Sequence, residues 1–143
     1  MAQDSLIFHA KALAMRSMIN FLSNTSLQRE LSVQTDKLAR MAAEFDKNFP
    51  WHMVLAMPLT KLRKKRGPHL RRLAQQGKHL DTLLRKAISE FAVQQSPTIR
   101  RGGKGKRNLF CQKVVEMFNS NVYKATEQLK LQAMQNARGE LKS

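Results

Sequence analysis

The sequence is poor in cysteine, acidic side chains, aromatic rings and long apolar runs, and each shortage removes a class of protein. A single cysteine, Cys111, in 143 residues makes an internal disulfide impossible. That excludes a disulfide-stapled secreted domain and favours an intracellular chain, nuclear or cytoplasmic. No apolar stretch approaches the roughly 18 residues of a membrane span. The four histidines, His9, His52, His69 and His79, have no close paired spacing, and one thiol cannot complete a closed zinc site, so no metal or cofactor is expected. Cys111 lies beside Phe110 and reads as an inert buried thiol. No carboxylate pair falls inside either strongly basic segment, so general acid–base work has no obvious carrier and the chain reads as a non-enzyme.

Apolar content and positive charge are what the chain does have. Apolar residues make up 42%, enough for a core in a chain whose length fits one domain over 1–143. Against 26 Lys and Arg stand 10 Asp and Glu, a formal charge of +16. The imbalance is local. Residues 1–46 net zero, 47–80 net +9 with no acid, 81–96 net zero, 97–115 net +6 with no acid, and 116–143 net +1. Concentration of this kind is the footprint of a surface for a polyanion.

Periodicity predicts an all-α protein, a compact bundle of five to seven helices with a flexible basic Gly-rich loop. Phe8, Ala12, Met15, Ile19 and Leu22 form one stripe of a helix over 4–22, capped by Asp4 or Ser5. A Ser23-Asn24-Thr25-Ser26 turn offers a cap for the next helix, 27–47. There Leu27, Leu31, Gln34, Leu38, Met41 and Phe45 alternate steps of four and three, a heptad seam with one polar position. The charge-balanced hairpin 1–46 therefore packs on itself or offers Leu27, Leu31, Leu38, Met41 and Phe45 for self-association or a protein partner. A short helix is expected after Pro50. Gly67-Pro68 is expected to divide the basic segment 58–78 into two helices, and Gly77 to cap the second. The strongest helical pattern is 79–94, with Leu80, Leu83, Leu84, Ala87, Ile88, Phe91 and Ala92. Repulsion and glycine predict a flexible loop over 97–108. Helices at 109–118 and 122–138, separated by Asn119-Ser120-Asn121, and a frayed tail at 139–143 complete the reading. No internal repeat is evident.

The first basic segment supplies Lys61, Arg63, Lys64, Lys65, Arg66, Arg71, Arg72 and Lys78, and the loop supplies Arg100, Arg101, Lys104, Lys106 and Arg107. Cations on an anchored scaffold follow a phosphate backbone and release condensed counterions, and arginine adds forked contacts to phosphate. Helix-turn-helix readout is poorly supplied, because few amide side chains beyond Gln75 and Gln76 are at hand. The glycines of the second segment do not match a P-loop, since Arg100 stands where its first glycine is required. Trp51 and Tyr123 are the only rings outside the apolar stripes that could stack on bases. The expectation is a nucleic-acid-binding protein, RNA favoured over DNA by the Gly/Arg/Lys loop, with little sequence choice. The alternative is an adaptor or accessory subunit. Its N-terminal helices would dock on a protein, while basic segments grip an acidic surface or serve as import signals through Arg63-Lys64-Lys65-Arg66.

Overall fold

A computed structural model describes residues 3–22, 24–50, 53, 56–95 and 103–142. Among them every regular element is helical. A 3-10 turn, Gln3–Ser5, leads into α1 (Leu6–Phe21), followed by α2 (Gln28–Asn48), α3 (Leu59–Gln95) and α4 (Gly103–Lys142). Among the described residues four α-helices thus stand where five to seven were expected. Each packs on two neighbours in the cyclic order α1, α2, α3, α4 and back to α1. Side-chain contacts fix the directions. Ser5 and His9 meet Asp46, so α1 and α2 run antiparallel. Ser26 meets Glu90 while Phe49 meets His69, so α2 and α3 do as well. Phe91 stacks on Phe110, which turns α4 back along α3.

The core explains why fewer, longer helices win. Leu62, Leu73, Leu80, Leu84, Ile88 and Ala92 of α3 are all buried, so both sides of Gly67-Pro68 are held to the bundle. Proline in a helix removes one N–H and crowds the preceding turn, at about 3 kcal/mol. Pro68 lies inside α3 and is exposed, as is Lys64 one turn before it. Gly77 is no terminus either. It lies inside α3, where a Cβ would stand 3.4 Å from Lys11 Nζ. The missing side chain lets Lys11 cross α3 to reach the Gly77 carbonyl at 3.4 Å and Asp81 at 2.9 Å.

The same override operates in α4. Phe118 is buried and Val122 packs on the same core, so the Asn119-Ser120-Asn121 triplet between them stays helical. The backbone is helical from Gly103 to Lys142, which corrects the loop over 103–108 and the frayed tail. Residues 97–102 lie outside the described set, as do most of those after Pro50. Cys111 is only partly buried.

The turns are built differently from expectation. Ser5 occupies the N-cap of α1 without a side-chain cap bond, and its hydroxyl donates to Asp46. Asn24 takes a positive φ of 71°, a conformation asparagine tolerates better than most residues. Leu27 stands at the N-cap of α2. The Ser26 amide and hydroxyl instead donate across the bundle to Glu90, at 2.9 and 2.8 Å. These two bonds hold the Glu90 carboxyl below its ordinary value.

Candidate nucleic-acid interface

Continuity of α3 through Gly67-Pro68 creates the most conspicuous surface of the molecule. Lys64, Arg71, Lys78 and Arg85 recur every seven residues, and so do their successors Lys65, Arg72, His79 and Lys86. Seven residues are nearly two helical turns, so each set forms a row. The rows stand about 100° apart around the axis and extend about 32 Å along it. All eight side chains are exposed, and none forms an ion pair among the described residues. Between the rows, Pro68, Gln75, Thr82 and Ser89 repeat at the same spacing, a strip that is uncharged beyond the exposed Lys61 at its start. An internal repeat is therefore present after all. It becomes visible once the helix is known to be unbroken.

The acids of α3 do not answer this charge. Asp81 pairs with Lys11 and Glu90 accepts from Ser26, both toward neighbouring helices. Other polar pairs join helices, His9 with Asp46 at 2.7 Å and Arg16 with Asp36 at 3.9 Å, or lie along α4, Lys130 with Glu127 at 3.4 Å. Arg66 corrects the sequence reading. It turns inward to pair with Asp4, its guanidinium 5.8 Å from the centre of the Phe45 ring. It is therefore withdrawn from the outer surface.

The other expected residues divide clearly. Lys61, Arg63, Lys64, Lys65, Arg71, Arg72 and Lys78 are exposed on α3. Arg72 also borders a cleft against α2 lined by Met41, Glu44, Phe45, Asn48, His69 and Leu73. Lys104, Lys106 and Arg107 lie on the first turns of α4, and their side chains are outside the described set. Arg100, Arg101 and Trp51 are also outside it. Tyr123 is 68% exposed, but on α4 rather than on the basic face. The sequence reading missed His79, Arg85 and Lys86. Their signal was the seven-residue echo of Lys64-Lys65 and Arg71-Arg72.

The heptad seam of α2 is taken up inside the chain. Leu31, Leu38 and Phe45 are buried in the core, with Leu27 and Met41 packed against it. Its polar member, Gln34, accepts twice from Gln76 Nε2, through its backbone carbonyl at 3.0 Å and its side-chain oxygen at 2.9 Å. Self-association through these five residues would require the bundle to open. Among the described residues no His/Cys/Asp/Glu group is arranged to hold a metal ion, and no helix is long and apolar enough to cross a membrane. No family model, curated protein or solved structure matches the chain.

Proposed function

We propose that this protein binds nucleic acid, RNA in preference to DNA, by gripping the phosphate backbone without catalysing a reaction on it. The reading carries with it an intracellular site of action, in the nucleus or cytoplasm. One observation supports it above all: the eight exposed side chains in two rows on α3, none of them in an ion pair among the described residues. Unanswered like charge on a rigid helix is unfavourable for the isolated molecule and favourable once phosphates replace condensed counterions. Contacts of this kind position a protein on its ligand and carry little sequence information. The preference for RNA rests on the Gly/Arg/Lys composition of 97–108.

Salt dependence tests the reading. If about eight phosphates are neutralised, log affinity against log salt on duplex DNA falls with a slope near −7, and a slope shallower than about −2 rejects it. Purified protein should also carry nucleic acid, seen as a raised 260/280 absorbance ratio that high salt abolishes.

The adaptor reading retains one supporting feature. Past Val122, α4 leaves the core, and Leu131 and Met134 are exposed there. A protein partner would thus meet the far half of α4 rather than the N-terminal seam.

A further inference from the structure

We infer that the α3 face is built for a double-stranded ligand, each row of cations following the phosphates of one strand along the two lips of a single groove. The inference rests on the nucleic-acid reading above and narrows it to a substrate class. Three observations carry it.

The first is the doubling of the pattern. One row would serve a single strand. Here every seventh position bears a pair: Lys64-Lys65, Arg71-Arg72, Lys78-His79 and Arg85-Lys86. Side chains about 100° apart on a helix diverge outward, so the members of each pair address different sides of the axis. Between them lies the uncharged strip of Pro68, Gln75, Thr82 and Ser89, none with a side chain longer than glutamine. Two cationic edges with a neutral centre match two lines of phosphate with a groove between them.

The second is stiffness. The inner face of α3 is fastened to the core by Leu62, Leu73, Leu80, Leu84 and Ile88. Its rows cannot bend to follow a flexible strand. Cations fixed about 10.5 Å apart along the axis gain most from phosphates that are themselves held in a regular array.

The third is the lack of large aromatic platforms on this face. Single-strand binders combine a basic groove with such platforms. The ring of Phe91, the one Phe, Tyr or Trp of α3, packs between Phe21 at 5.2 Å and Phe110 at 6.3 Å. Phe45 and Phe49 are buried. Among the described residues no Phe, Tyr or Trp lies on the outer face of α3, where His79 is the single aromatic ring.

The experiment uses the full chain and four probes: a 20-base-pair RNA duplex, the DNA duplex of the same sequence, and one unstructured strand of each. Affinities are read by fluorescence anisotropy near physiological salt. At least one duplex should bind about 10-fold or more tightly than its strand. The triple variant Lys65→Gln, Arg72→Gln, Lys86→Gln, which leaves only His79 in one row, should bring the duplex to within about threefold of the strand. A charge-matched control, Arg29→Gln, Lys37→Gln, Arg40→Gln on α2, should keep the duplex preference. Circular dichroism melting identifies any variant that has lost its fold, and the single variants Arg72→Gln and Lys86→Gln then replace it. Preference for one duplex form over the other supports the inference and names that form. Strands bound as tightly as duplexes, or a control that loses as much as the row variant, overturn it and leave the nucleic-acid reading standing. Failure to bind any probe overturns both.

Discussion

The α1–α2 hairpin and the outer face of α3 carry the same kinds of ionic side chain in opposite company. In the hairpin, basic side chains and acids meet across helix contacts: His9 with Asp46, Arg16 with Asp36, and Lys11 with Asp81 of α3. On the outer face of α3, eight basic side chains stand in two rows, none of them in an ion pair among the described residues. Pairing is therefore available to this fold and is used at several helix contacts. Arg29, Lys37, Arg40 and Lys47 of α2 are exposed without an ion pair among the described residues, but only on α3 do eight basic side chains fall into two rows.

The comparison can be broken first at the basic face. Replacing Lys64, Lys65, Arg71 and Arg72 together by Glu should weaken nucleic-acid binding by at least about 100-fold near physiological salt, alike for every sequence tested. The melting temperature should hardly move, because exposed substitutions seldom matter to stability. A collapse of the fold would mean that these side chains belong to the scaffold. The converse lies in the core. Leu80→Ala should cost about 2–5 kcal/mol in urea unfolding, while binding at low denaturant persists as long as the protein stays folded.

Between these extremes is the helix-breaking pair. Gly67 is helical with open space where a Cβ would go. Gly67→Ala should therefore stabilise the protein by about 0.5–1 kcal/mol without displacing the rows. Loss of stability there would mean that α3 bends at this point. The smallest effect belongs to Glu90. Its bonds from Ser26 depress its pKa, so the contact stabilises the folded state at neutral pH. That contribution fades as pH falls through the ordinary glutamate range near about 4.3 and below. In Glu90→Gln the melting temperature should fall less steeply with acid than in the parent protein, and identical acid limbs would dismiss the contact as energetically silent.

Much of the bundle was legible in periodicity. The Leu31, Leu38 and Phe45 seam of α2 and the Leu80-to-Ala92 stripe of α3 lie in the core where spacing put them. The turn before α2 and the stop at Asn48-Phe49-Pro50 fall where expected, but three other breaks were misjudged, all in one direction. Gly67-Pro68, Gly77 and Asn119-Ser120-Asn121 are local signals for ending a helix, and each is overruled by apolar residues buried on both sides. Leu62 and Leu73 hold α3 across Pro68, and Phe118 and Val122 hold α4 across the polar triplet.

The site was half legible. Lys64, Lys65, Arg71, Arg72 and Lys78 were found because they lie in a window without acids. Arg85 and Lys86 were hidden because Asp81 and Glu90 cancel them in a count along the chain, although those acids engage α1 and the α1–α2 turn. Net charge over a window cancels a cation against an acid four residues away even when that acid is bonded to another element. Arg66 went astray because its neighbours point out and it points in.

The amide of Gln76 has a consequence for how the outer surface is aimed. It is buried, and α2 gives it two acceptors on one residue. Sliding α3 by a single turn, or rotating it by one position, would strand that amide in a nonpolar interior and forfeit about 1–3 kcal/mol. The pair therefore acts as a locating key, setting the azimuth at which the long helix is mounted and hence the bearing of everything it displays outward.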